Sequence, residues 1–93
     1  MVNKNHLRIR KNVDKLDNNL LNLIRKRTNL VNQILYSKKF KKEIVDKKRI
    51  KTILKNISNK SKAKKIDVLI TQKIWKAMIS AFIDYEYRNF KKK

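Results

Sequence analysis

Cationic side chains occupy positions of a long apolar repeat where helix packing normally requires leucine or isoleucine. Arg10, Arg27 and Lys38 fall at seam positions of a helical repeat that begins near Leu7. A cation in a half-buried seam is costly unless an anion meets it. Asp17 also lies in this seam, but one carboxylate cannot neutralise three cations. The pattern favours a pocket for a small anionic ligand, and the alternative is that the cations extend along the helix surface to water.

Spacing along the helix axis decides which of these cations could share one ligand. At a rise of about 1.5 Å per residue, Arg27 and Lys38 lie about 16 Å apart along the helix axis. Their long side chains could lean together and contact the same small molecule. Arg10 and Lys38 lie about 42 Å apart, so Arg10 could join them only from a second, antiparallel subunit. A two-fold dimer would provide two equivalent sites and a larger core for a short chain.

Two carboxylates and a further cation complete the candidate set. Asp46 and Arg49 are three residues apart, so they share one face of a second helix. Glu86 follows Phe82 by four residues, which places a carboxylate on or beside the apolar face of a third helix. A carboxylate there has a cation partner or a chemical task, or it lies in water at the helix end with Arg88 nearby.

The hydrophobic pattern predicts an all-α chain whose three helices position these residues. The first helix runs from residue 7 to about 38, because its apolar positions alternate spacings of three and four. Residues 36–45 are predicted to form a loop. The second helix runs from about Asp46 to Ile57, residues 58–62 are predicted to connect, and the third extends from an N-cap at Asp67 to near Phe90. Residues 1–93 are expected to form a single domain.

Composition excludes several kinds of site. The 93 residues contain no Gly, Pro or Cys and one His, which excludes thiolate metal sites, disulfides, cysteine nucleophiles and glycine-rich phosphate loops. We expect no cofactor and no metal. No apolar run reaches the roughly 18 residues of a membrane span, and residues 1–11 have no secretory h-region. We therefore expect a cytoplasmic protein that makes no contact with membranes.

The net charge of +20 has two interpretations. It fits an anionic partner, or it reflects compositional drift, since Lys, Asn and Ile make up 44 of the residues. A basic helical dimer that binds nucleic acid is one function to consider, because Trp75 and the tyrosines could stack on bases. The aromatic residues lie mostly on apolar faces, however, and Arg27 and Lys38 lie in the seam. We therefore expect no specific nucleic-acid partner, only weak, salt-sensitive binding to polyanions.

In order and spacing these residues resemble the all-helical chorismate mutases. The resemblance extends from about residue 7 to 90, and it is carried by Arg10, Leu16-Asp17, Arg27, Lys38, the Asp46-x-x-Arg49 motif and Glu86. It implies an intertwined homodimer of three-helix chains with shared active sites. It also implies that the substrate is chorismate, a small dianion, and that the product is prephenate.

The resemblance further implies a role for each candidate residue. Arg10 of the partner subunit and Arg27 would bind the two substrate carboxylates, and Arg49 would add a contact near them. Lys38 and Glu86 would face the ether oxygen of the substrate.

Asp46 would orient the region of the substrate hydroxyl. The rearrangement is pericyclic, so the protein needs only to select a compact conformer and to stabilise negative charge on the ether oxygen.

Two candidate substrate-binding positions depart from the family pattern. Related mutases usually carry Glu where Ile50 stands, and they often carry Ser where Phe82 stands. In these two features the chain looks more like the isochorismate-pyruvate lyases, which share the fold and release salicylate and pyruvate. The mutase reaction is the preferred prediction, and the lyase reaction is the alternative.

Overall fold

The fold is all-α, as the hydrophobic pattern predicts. The computed structural model describes residues 3–91, and this range holds helices α1 (Lys4–Ser37), α2 (Lys47–Ala63) and α3 (Val68–Asn89) with a 3₁₀ turn at Lys41–Glu43. No strand occurs between residues 3 and 91. None of the helices in this range offers an apolar stretch of membrane-spanning length.

The chain forms two compact units, one ending at Val31 and one beginning at Asn32. The described part of the first unit is a stretch of α1, and it contains no buried side chain. Val31 is half-buried, whereas the other large apolar side chains described in this unit are 45–63% exposed: Leu7, Ile9, Val13, Leu16, Leu20, Leu21, Leu23, Ile24 and Leu30. A single helix cannot cover its own apolar face, so the packing predicted for the seam is not provided by residues 3–31 themselves.

The second unit contains the buried side chains of the described chain. Its apolar core is small and consists of Leu35, Ile44 and Ile79. The packing of α2 against α3 includes a buried polar contact, in which the hydroxyl oxygens of Ser61 and Thr71 lie 2.8 Å apart. The Ser61 hydroxyl donates to the carbonyl oxygen of Ile57 at 2.6 Å, so the Thr71 hydroxyl can donate to Ser61, and neither side chain is left without a hydrogen bond.

Helix α2 is longer than the sequence pattern predicts. Residues 58–62 were expected to connect two helices, but α2 continues through them to Ala63. The side chain of Ser61 is 3% exposed and contacts Thr71 of α3. Packing against a neighbouring helix therefore outweighs the preference of Ser and Asn for turns.

The ends of the helices are set by local hydrogen bonds. Asp46 and Asp67 are the N-caps of α2 and α3, and their carboxylates accept from the backbone N–H groups of Arg49 (3.0 Å) and Leu69 (2.8 Å). The predicted N-cap at Asp67 is thus confirmed. After α2 the backbone of Lys65 adopts φ 58°, in the left-handed region that normally favours glycine.

Candidate active site

Lys38 and Glu86 form an ion pair in the second unit. The distance from Lys38 Nζ to Glu86 Oε1 is 2.9 Å, and the two side chains are 17% and 9% exposed. Lys38 immediately follows α1, whereas Glu86 lies in the last turns of α3. The carboxylate that the sequence placed beside an apolar face therefore has a cation partner. Removing either member would leave the other charge in a partly dry environment, which is strongly unfavourable.

A cavity of about 470 Å³ opens beside Lys38. Its volume falls in the range of roughly 300–1,000 Å³ that is typical of small-molecule sites. The lining combines aromatic, amide and cationic side chains: Asn32, Leu35, Tyr36, Lys38, Tyr85, Asn89 and Lys91. Such a lining suits a ligand that has both an apolar ring and negative charge.

A hydrogen bond between two helices borders this cavity. The hydroxyl of Tyr85 donates to Asn32 Oδ1 at 2.9 Å, and so links α3 to the last turns of α1. The ring of Tyr85 also meets Phe82 edge to face, with centroids 6.3 Å apart. Phe82 is half-buried and lies one turn before Glu86, so these contacts help to fix the part of α3 that carries the carboxylate.

The backbone that follows Lys38 is held by a carboxylate. Glu43 Oε2 accepts from the N–H groups of Lys39 (2.6 Å) and Phe40 (2.8 Å). These backbone hydrogen bonds hold the pKa of Glu43 below its usual range, and the bond from Phe40 has the larger effect, followed by the bond from Lys39. Ile44, which is 4% exposed, anchors the same turn in the core.

The candidate residues at the N-terminus of α2 make no direct bond to the ion pair within the described chain. Asp46 and Arg49 are exposed, and in the described chain no hydrogen bond or ion pair links either of them to Lys38 or Glu86. The carboxylate of Asp46 already caps α2. Ile50 is half-buried and lines a shallow groove formed with Lys47, Lys48, Lys51 and Leu54.

The two arginine candidates of the first unit lie far from each other. Arg10 is exposed and Arg27 is half-buried. Both belong to α1, and their separation of 17 residues corresponds to about 26 Å along the helix axis. The two guanidinium groups of one chain therefore cannot bind the same small ligand.

Of the seven residues that line the cavity, sequence reasoning named only Lys38 as a candidate site residue, and four of the other six form two spaced pairs. Asn32 and Tyr36 are four apart on α1, and Tyr85 and Asn89 are four apart on α3. Each pair therefore lies on one helix face. A search for apolar seam positions passes over such pairs, although the matching spacing of an aromatic and an amide side chain was a signal that could have found them.

A comparison with protein families gives one match. The model of the family described as chorismate mutase type II matches residues 9–87, a range that includes every candidate site residue from Arg10 to Glu86. No curated protein sequence and no solved structure gave a match. Because the family model covers most of all three helices, the chain belongs to the chorismate mutase type II family.

Proposed function

We propose that this chain rearranges chorismate to prephenate. The family implies an isomerase that acts on a chorismate-like substrate, and the observation that carries the specific reaction is the pair formed by Lys38 and Glu86. This pair places an ammonium group and a carboxyl group side by side next to a cavity of suitable size. An ether oxygen that gains negative charge would be stabilised by hydrogen-bond donors at such a place.

The reaction requires few catalytic groups. The C–O bond of the ether breaks while a C–C bond forms in the same step, so no covalent intermediate and no obligatory proton transfer arise. Lys38 would donate to the ether oxygen, and Glu86, which accepts from Lys38, would hold that ammonium group in place. Arg27 and Arg10 of the partner subunit would bind the two carboxylates, with Arg49 adding a contact near them. Holding the reactive conformer would itself lower the barrier by several kcal/mol.

We also propose that two copies of the chain, each acting as a single domain, form a dimer with shared sites. Arg10 and Arg27 lie about 26 Å apart along α1, so a site that uses both takes Arg10 of the partner subunit. The exposed apolar side chains of residues 3–31 support this arrangement. Covering one such side chain fully contributes about 1.5–3 kcal/mol, and an antiparallel copy of α1 would cover many of them at once.

A direct assay distinguishes the two reactions of this fold. The purified protein is incubated separately with chorismate and with isochorismate, and the products are identified. We expect prephenate from chorismate. Salicylate and pyruvate from isochorismate, without prephenate from chorismate, would establish the lyase reaction instead, which the apolar side chains of Ile50 and Phe82 favour.

Mixing two inactive variants tests the shared site. Arg10→Ala and Lys38→Ala should each abolish turnover, whereas Arg8→Ala on the same helix serves as a control that retains it. In a mixed dimer one of the two sites would hold both native residues, so the mixture should recover part of the activity. Absence of recovery after demonstrated subunit exchange would contradict the shared site while leaving the assigned reaction intact.

A further inference from the structure

Helix α2 carries a row of lysines that plays no part in the proposed reaction. Lys48, Lys51, Lys55 and Lys62 follow one another at spacings of three, four and seven, and all four are exposed. These positions fall within about 60° around the helix and extend over about 21 Å of its axis. We call these four residues the lysine ridge.

The ridge lies away from the face that α2 packs against α3. Leu54 and Ser61 mark the packed face, because the carbonyl of Leu54 accepts from the side chain of Gln72 and the hydroxyl of Ser61 contacts Thr71. The centre of this face, midway between Leu54 and Ser61, lies roughly 100° around the helix from the centre of the ridge. The four ammonium groups are therefore available to a partner while α2 stays packed.

Nothing in the described chain neutralises the ridge. Residues 47–65 hold nine Lys and Arg and no Asp or Glu, and none of the four ridge lysines forms an ion pair with another described residue. Like charges three or four residues apart on a helix repel each other. Lys48 also lies in the first turn, where the helix dipole disfavours a cation. An external polyanion would remove these costs.

We propose that the lysine ridge binds the phosphate backbone of double-stranded nucleic acid without reading its sequence. Lysine contacts to phosphates give affinity and position but carry no sequence information. A ridge of about 21 Å matches about six base pairs at a rise of 3.4 Å each. Released counterions would supply the free energy of binding.

The composition of α2 favours a duplex over other anionic partners. Single-strand binders stack bases on aromatic side chains, and α2 contains no aromatic residue. Protein interfaces are depleted in lysine and depend on aromatic and arginine anchors, which the ridge lacks. Helices that lie on membranes insert an apolar face, whereas the apolar face of α2 packs against α3.

The test is a salt titration of binding to labelled duplexes of about 24 base pairs with unrelated sequences, followed by fluorescence anisotropy. For the native chain we expect similar affinity for all sequences and a dissociation constant of about 10⁻⁶–10⁻⁴ M at physiological salt. Each phosphate contact contributes about −0.9 to the slope of the logarithm of the association constant against the logarithm of the salt concentration. Replacing the four ridge lysines by Gln should therefore reduce the magnitude of that slope by about 3–4.

A matched control separates the ridge from the overall charge of the chain. Four exposed lysines elsewhere are replaced by Gln, which lowers the net charge by the same amount: Lys11, Lys15, Lys73 and Lys76. This variant should change the slope by less than about 1. Equal losses in the two variants would overturn the proposal, because they would show that binding depends on net charge alone.

Further arms test the choice of partner and the fold of the variants. Tighter binding to a single strand of the same length, or equal binding to polyglutamate, would overturn the assignment to duplex. Circular dichroism checks that each variant remains helical, as expected from the good helix propensity of Gln. Should the fourfold variant lose helix, the double variant Lys51→Gln with Lys55→Gln should lower the slope by about half as much, and an unchanged slope would refute the ridge.

Discussion

Lys38 and Glu86 are 48 residues apart in the chain, yet their side chains meet at 2.9 Å in a partly buried ion pair. A carboxylate only accepts hydrogen bonds, whereas a carboxylic acid or a carboxamide also donates one. Glu86→Gln should therefore keep or raise the turnover of chorismate, because Gln can accept from Lys38 and can also donate to the ether oxygen of the substrate. Glu86→Leu, which can do neither, should lower turnover by about tenfold or more.

The control for this experiment is Asp84→Asn, which removes an exposed carboxylate from the same helix and should leave the turnover of chorismate unchanged. A loss of turnover in Glu86→Gln as large as the loss in Glu86→Leu would contradict the role proposed for Glu86.

Ile50 stands where the resemblance to chorismate mutases implies a glutamate bonded to the substrate hydroxyl. Replacing it by Glu should raise kcat/KM for chorismate by about tenfold, which corresponds to one hydrogen bond to a charged group. Ile53→Glu places the same charge at another half-buried position of α2 and should lower stability without raising activity. Steady-state kinetics and thermal melts are compared. Unchanged kinetics in a stable Ile50→Glu variant would remove Ile50 from the site.

Lys65 holds a left-handed backbone conformation, with φ 58°, just after the end of α2. This conformation costs a residue with a Cβ roughly 1–2 kcal/mol and costs glycine little. Lys65→Gly should therefore increase the free energy of unfolding by about 1 kcal/mol. Lys64→Gly removes the same charge at φ −92° and should be neutral or destabilising. Urea unfolding of both variants measures the difference, and equal stabilities would show that the backbone of Lys65 carries no such cost.

The carboxylate of Glu43 makes the turn after Lys38 sensitive to acid. Its folded-state pKa lies below the ordinary value of 4.5 because of the hydrogen bonds from Phe40 and Lys39. The stabilising contribution of these bonds is therefore present above the ordinary value and is lost as the pH falls through the lower, folded-state pKa. NMR shifts of the two amides should report this transition. Glu43→Gln should abolish it, and amides that still titrate in that variant would refute the assignment.

The helices could be predicted from the sequence because their signals are local. Apolar residues at spacings of three and four indicate α1, and an aspartate before such a run indicates the N-cap at Asp67. The end of α2 could not be predicted in this way. Ser61 belongs to a stretch whose composition is typical of a loop, and only its burial against Thr71 keeps that stretch helical.

The candidate site was predicted only in part, because some of its contacts also depend on packing between helices. From the sequence, Glu86 could have a cation partner or a chemical task, or could lie in water near Arg88, and the structure gives it Lys38 as a partner. The hydrogen bond from Tyr85 to Asn32 depends on how the last turns of α1 align with α3. That alignment cannot be predicted from the spacing of residues within either helix alone. The roles of Arg10, Arg27, Asp46 and Arg49 stay predictions.

The absence of buried side chains between residues 3 and 31 has a consequence for biosynthesis. This stretch leaves the ribosome before the segment that contains the core, and its row of leucines and isoleucines then has nothing to cover it. Exposed apolar segments of this kind drive aggregation of nascent chains. The same stretch carries eight Lys and Arg against two Asp, and repulsion between like-charged chains opposes their coalescence. If the proposed dimer forms, part of the high basic charge would keep newly made chains dispersed until each meets its partner.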